Sequence, residues 1–128
     1  VIEMKNFTTT WKSSKKPRKQ RKYRLKAPLH IKHSFLHSHI SKELSKKYGK
    51  RSIGLRKGDK VKIMHGGFKK QEGKVEIINM KKTRVFVSGV EITKKDGTKR
   101  MLGLHPSNLM ITELNLDDKF RQKILERK

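Results

Sequence analysis

Four histidines fall within ten positions of this chain, at His30, His33, His37 and His39, and imidazole is a common ligand for divalent metals. On a helix, positions i, i+3 and i+7 share one face, so three such rings could in principle close on one cation. Their surroundings oppose it. Lysines flank the group, the chain has no cysteine, and no Asp or Glu lies nearby before Glu43. These imidazoles are read instead as locally satisfied or facing a polyanion. Gly67 to Gly73 suggests a phosphate loop, but five residues rather than four separate the glycines. Val75 also stands where a Ser or Thr would hold magnesium. No Gly-x-Ser-x-Gly or comparable nucleophile setting occurs. The residues point to no enzyme, no cofactor and no bound metal.

What the side chains do offer is positive charge. Among 128 residues there are 35 Lys and Arg against 11 Asp and Glu, a net charge of +24. Ten of the cations fall between Lys12 and Lys32: Lys12, Lys15, Lys16, Arg18, Lys19, Arg21, Lys22, Arg24, Lys26 and Lys32. No carboxylate interrupts the chain from Glu3 to Glu43. Such a run cannot fold on itself, because like charges repel and little apolar surface offsets the entropy of ordering. Its counter-charge must come from a partner. A nucleic-acid backbone suits it, since each phosphate neutralised releases condensed counterions. A membrane surface suits it less, because no Leu/Phe/Trp stripe is interleaved to enter a bilayer. Trp11, Tyr23 and Phe35 could stack on unpaired bases, with Phe35 read rather as core and Trp11 as the better stacking candidate.

The length allows one small domain with extensions, and with 32% hydrophobic residues its core is modest. Absence of cysteine fits a reducing compartment. There is no run of about 18 apolar residues and no apolar leader, so a soluble cytoplasmic protein without membrane insertion is expected. Met4 is a candidate natural start.

Four segments must position these groups. Residues 1–27 read as a basic extended arm, disordered until bound, since Pro17 and Ala27-Pro28 disfavour helix and no 3.6-residue period appears. Residues 28–52 read as a helical segment. Pro28 opens a first helix with Leu29, Ile31, Phe35 and Leu36 as a partial apolar face. Ser41 caps a second, in which Leu44 and Tyr48 share a face and Gly49 is the stop. Residues 53–114 alternate with period two: Val61 and Ile63, Val75 and Ile77, and Val85 and Val87 each interleave with polar or aromatic neighbours. Further strands are expected over 99–102 and 109–112. Gly66-Gly67, Gly73, Ser88-Gly89 and Asp96-Gly97 supply turns or bulges. Five short strands suit a small barrel. Residues 115–128 read as a C-terminal helix in which Leu116, Phe120 and Ile124 form the apolar stripe.

The segment Gly58-Asp59-Lys60-Val61-Lys62-Ile63, followed by Gly66-Gly67-Phe68-Lys69 and Gly73-Lys74-Val75, resembles the KOW motif. That resemblance implies a mainly β fold: a small SH3-like (KOW) barrel, here with a basic arm, short N-terminal helices and a short C-terminal helix. Lys70 stands where many KOW members carry glycine, which predicts either a less tight turn or an added phosphate contact. The motif occurs in both ribosomal proteins and transcription elongation factors. Lys16-Pro17-Arg18-Lys19-Gln20-Arg21-Lys22, Ala27-Pro28-Leu29-His30-Ile31, Ser41-Lys42-Glu43-Leu44, Lys47-Tyr48, His105-Pro106-Ser107-Asn108 and Lys123 to Lys128 decide between them. Together they resemble the archaeal and eukaryotic branch of the universal large-subunit ribosomal family whose bacterial member is numbered twenty-four, with the archaeal type favoured.

The resemblance implies a structural constituent of the cytoplasmic large ribosomal subunit. It would bind large-subunit ribosomal RNA, support early assembly, and lie beside neighbouring ribosomal proteins near the polypeptide exit tunnel. No small-molecule substrate is expected. The expected RNA contacts are Trp11, Lys12, Lys15, Lys16, Arg18, Lys19, Arg21, Lys22, Arg24, Lys26, His30, Lys32 and His33 from the N-terminal half. His65, Gly66, Gly67, Lys69, Lys70, Gly73, Lys81, Lys82, Arg84, Ser107 and Asn108 complete them. The alternative is a KOW accessory module of transcription elongation that binds polymerase and nascent RNA. Such a factor would pair the barrel with a polymerase-binding α/β domain, whose place the arm occupies here.

Overall fold

The computed structural model describes residues 7, 8, 10 and 13–127. Seven strands dominate: β1 (His37–Ile40), β2 (Ser52–Gly54), β3 (Lys60–Ile63), β4 (Glu72–Asn79), β5 (Arg84–Thr93), β6 (Lys99–Leu104) and β7 (Leu109–Glu113). They pair in the order β2-β1-β7-β3-β4-β5-β6, with β2 and β6 as the edges, so the sheet is open in its pairing. All neighbours run antiparallel except β1 with β7. The helices are α1 (Pro17–Lys26), α2 (Leu29–Ser34), α3 (Lys42–Tyr48) and α4 (Lys119–Glu126), and a 3-10 turn covers Pro106–Asn108.

The core forms where strand alternation turns β-branched side chains inward. Val61, Ile63, Val75, Val85, Val87, Val90, Leu109 and Ile111 are almost wholly buried, joined by Leu36, Ile40, Ile53, Leu55 and Leu125. Each fully buried aliphatic side chain contributes about 1.5–3 kcal/mol relative to exposure. A bulge breaks one expected pattern. Val75 pairs with Val87 but Ile77 pairs with Phe86, so one extra residue at Glu76 flips the alternation. Ile77, expected inside, is therefore 52% exposed, while Ile78 packs on the core.

Three expectations need correction. Residues 17–26 are not extended but helical, because Pro17 occupies the first turn, where its missing N–H costs nothing. The Arg, Lys, Gln and Leu that follow are good helix formers without β-branching. The segment 28–52 is not wholly helical, since it contains β1 and opens β2. The polar residue Ser38 hides that strand in the sequence: it is buried, and its hydroxyl donates to the Pro106 carbonyl at 2.5 Å.

The third correction concerns α4. The helix begins at Lys119, Leu116 ahead of it packs against the core, and the rest of the expected stripe faces outward, with Phe120 72% and Ile124 42% exposed, whereas Arg121 and Leu125 are buried. The cause is a buried ion pair. Both terminal nitrogens of Arg121 donate to the Asp59 carboxylate at 2.6 Å, and further bonds reach the carbonyls of Asn115 (2.8 Å) and Gly54 (3.1 Å). Asp59 also accepts from the backbone N–H groups of Arg56 and Asn115, both at 2.9 Å. Helix orientation follows this pairing because an unpaired buried carboxylate would cost far more than exposing Phe120. Asp118 caps the helix by accepting from the Phe120 N–H, and also pairs with Arg56.

Among the described residues, α3 follows the expected caps. The Ser41 hydroxyl accepts from the Leu44 N–H, and Gly49 closes the helix at φ 65°.

Candidate nucleic-acid interface

Three loops and two helices carry most of the expected contact residues. Helix α1 presents Arg18, Lys19, Arg21, Lys22, Arg24 and Lys26, all exposed, with no acidic residue in its first turn and nothing buried. Its hold on the rest of the fold includes an aromatic chain. The Tyr23 ring lies 4.8 Å from Phe7 and 6.2 Å from Phe35, so Tyr23 and Phe35 pack on each other. Lys15 and Lys16 precede the helix and are exposed. Trp11 and Lys12 lie outside the described residues.

The loop between β3 and β4 holds His65, Gly66, Gly67, Lys69 and Lys70 exposed. Phe68 pins it by packing against the core. Gly66 sits at φ 96° and needs glycine's freedom, while Gly67 has neither positive φ nor a close neighbour. Lys70 adopts φ 75°, a conformation that side chains disfavour. The turn is therefore as tight as a glycine would make it. The Lys70 N–H donates to the Ile63 carbonyl at 2.9 Å, which closes the loop and leaves the ammonium outside. Gly73 serves packing rather than loop bending. A Cβ there would come within 2.6 Å of the Ser88 carbonyl oxygen and 2.7 Å of Val87 Cγ1.

Beside this loop runs the His105–Asn108 turn, because the Met64 N–H donates to the Asn108 carbonyl at 2.8 Å. Ser107 is exposed and Asn108 half-buried. His105 Nδ1 accepts from the Ser107 N–H at 3.2 Å and meets its hydroxyl at 2.7 Å. Burial, and then the charges of Arg84 and Arg24, hold this imidazole below the ordinary histidine value. Arg84 opens β5, next to exposed Lys81 and Lys82 in the β4–β5 turn. His30 and His33 are exposed on α2, with Lys32 half-buried between them. His37 and His39 belong to β1 and share no helical face with them. Among the described residues, no three His, Asp or Glu side chains gather into a group that could hold a metal, and no helix is long and apolar enough to cross a membrane.

Ion pairing divides the cations. Arg56, Lys60, Lys62, Lys99 and Arg121 each meet a carboxylate. Among the described residues Arg18, Arg21, Lys22, Arg24, Lys26, Lys69, Lys70, Lys81, Lys82 and Arg84 do not. Sequence reasoning quoted His105 and Asp59 only within motifs and gave neither a role. No residue type signals the role of the first, and the signal for the second lay in a lone acid beside an apolar strand.

The fold and this surface define a small, mainly β protein whose exposed cations outnumber its available carboxylates. Residues 14–128 match the family that joins the eukaryotic ribosomal proteins L26 with their archaeal L24-type counterparts, and the chain belongs to that family. It is 47% identical over 115 residues to the large ribosomal subunit protein uL24 of Methanosphaera stadtmanae, covering 90% of this chain and 98% of that protein. The protein of the same name from Methanothrix thermoacetophila is 48% identical over 114 residues, covering 89% of this chain and 98% of its own length. The family is one of ribosomal proteins rather than enzymes, and the transcription-elongation alternative is left without support.

Proposed function

We propose that this protein is a structural constituent of the large subunit of the cytoplasmic ribosome and binds large-subunit ribosomal RNA. The contacts are made through α1, the 64–71 loop, the 80–84 turn and the His105–Asn108 turn. One observation carries the reading: α1 sets Arg18, Arg21, Lys22, Arg24 and Lys26 exposed on one ten-residue helix that carries no acidic residue and buries nothing, and none of the five meets a carboxylate among the described residues. Unpaired cations on a folded scaffold are what a phosphate backbone needs. The strands from β3 to β7 are the part read as an SH3-like KOW barrel. Support for early subunit assembly, contact with neighbouring ribosomal proteins and a place near the polypeptide exit tunnel belong to the same reading and rest on the family.

Binding to a large-subunit rRNA transcript, measured across a salt series, tests it. With about ten phosphates neutralised, log affinity falls against log salt with a slope of roughly −7 to −9. The protein should also sediment with the large subunit at low salt. An affinity indifferent to salt, or absence from the large subunit at low salt, would overturn the reading.

A further inference from the structure

A cleft of about 850 Å³ opens between the end of α2, the edge strand β2, the end of β4 and α4. That size admits a small flat ligand. Strand pairing fixes which backbone groups of β2 face it. The Leu55 N–H donates to the Leu36 carbonyl at 3.1 Å and the Ile40 N–H to the Arg51 carbonyl at 3.4 Å, so residues 51, 53 and 55 turn their hydrogen-bonding groups toward β1. Ser52 and Gly54 therefore turn theirs the other way, to the free edge of the sheet. The Gly54 carbonyl accepts from Arg121 Nη2 at 3.1 Å, and Arg121 lines the cleft, so this edge looks into it. The Ser52 N–H, the Ser52 carbonyl and the Gly54 N–H are left without a protein partner among the described residues.

The walls suit a nucleobase. The exposed His37 ring lies against the bare backbone of Gly54, where a Cβ would be 3.7 Å from both Cδ2 and Nε2 of the ring, and imidazole offers a face on which a base stacks. Leu36, Ile78, Met80 and Ile124 supply apolar lining. At the rim Arg56 pairs with Asp118, which leaves Lys50 and Lys57 against Asp117 and a net positive charge for the adjoining phosphates. His33, on the exposed side of α2, also lines the cleft and joins it to the candidate interface. The length of β2 decides between RNA and peptide. An added peptide strand bonds along several residues of an edge, whereas the few free groups of a three-residue strand match the donors and acceptors along one base. We propose that this cleft holds a single unpaired nucleobase of the rRNA, with its hydrogen-bonding edge on Ser52 and Gly54 and its face on His37. The site rests on the RNA-binding reading above and deepens it, because cations on phosphates read no sequence whereas a base held by its edge is read directly.

Chemical probing of a large-subunit rRNA transcript tests the site with the full chain. Dimethyl sulfate and carbodiimide modify the Watson–Crick edges of unpaired bases, and the parent protein should protect such a base. His37→Ala should lose that protection, keep the others, and bind about tenfold more weakly. Gly54→Pro removes an N–H that points away from the ladder, a change that edge strands tolerate, and should lose protection at the same base. Gly54→Ala keeps the N–H and should keep the protection. Circular dichroism melting checks each fold, and if Gly54→Pro unfolds, the exposed His37 decides. Protections that stay the same in His37→Ala and Gly54→Pro, as they would if the cleft held a peptide or nothing, would overturn the site while leaving RNA binding intact. So would losses at unrelated bases. A parent protein that binds no transcript would instead overturn the RNA-binding reading itself.

Discussion

Helices α1 and α4 are of similar length and both carry arginine, yet they treat it in opposite ways. In α1, Arg18, Arg21 and Arg24 are exposed and nothing is buried. In α4, Arg121 is 2% exposed and its guanidinium is saturated apart from an unpartnered Nε. The difference lies outside both helices. Asp59 offers a buried carboxylate at the start of β3, and only α4 reaches it. A high cation count therefore does not locate a binding surface. Carboxylate pairing takes Arg121 out of the candidates, but Lys46, Lys74, Lys94 and Lys123 are unpaired as well, so the density of exposed cations along one helix is what singles out α1.

The comparison breaks most sharply at Arg121. Arg121→Ala strands a buried carboxylate and should lower unfolding free energy by about 3–5 kcal/mol in urea titrations. The double variant with Asp59→Asn should recover part of that loss. A cost below about 1 kcal/mol for the single change would mean the pair is not what orients α4.

Next in size is Gly73→Val, which must push aside the Ser88 carbonyl and Val87. A loss of about 1–3 kcal/mol in thermal or urea melts is expected. Parent-like melting would show that β4 and β5 do not approach as closely as described.

The converse test neutralises α1. Replacing Arg18, Arg21, Lys22 and Lys26 together by Gln should flatten the salt dependence of rRNA affinity by about three units. The melting temperature should hold or rise slightly, since like charges spaced three and four apart destabilise a helix. A large fall in melting temperature would place α1 with the structural charges after all. Lys69→Ala should remove only about one unit of slope and leave melting unaltered.

The smallest effect is that of His105. Its folded value lies below the ordinary 6.5, so between those two values the unfolded chain binds more protons than the folded one. Stability is thus full above pH 6.5 and declines as pH falls toward the folded value. Burial lowers His37 in the same direction, so in RNA-free protein His105→Gln should flatten this part of the pH–stability curve only partly, and a curve as steep as the parent's would assign the whole slope to other groups.

Much of the sheet was legible because Val61, Ile63, Val85 and Val87 keep strict alternation, and the turn glycines mark its corners. What was hidden had local physical causes. One bulged residue at Glu76 reversed Ile77 and Ile78, and nothing in residue types marks a bulge. Ser38 lay in a segment read as helical and gave no strand signal, because a polar side chain can occupy a buried strand position once its hydroxyl finds a carbonyl. Phe120 and Ile124 suggested the wrong face of α4, since apolar periodicity counts hydrophobes and cannot see a distant carboxylate. For the candidate interface, residue type and the family resemblance were enough to name exposed lysines and arginines. Which of them face one another depends on register, and residue types do not show it.

The bond between Asp59 and Arg121 also sets a clock. The two residues are 62 positions apart, which at ribosomal speeds of about 5–20 residues per second is about 3–12 s of synthesis. During that interval the nascent chain has made its basic N-terminal half and the aspartate, but not the arginine that lets the aspartate be buried. The corner joining β2, β3 and α4 is therefore among the last parts of the molecule able to close, after α1 has already emerged as a polycation. A chain built in this order presents its charge to the outside before its interior is finished.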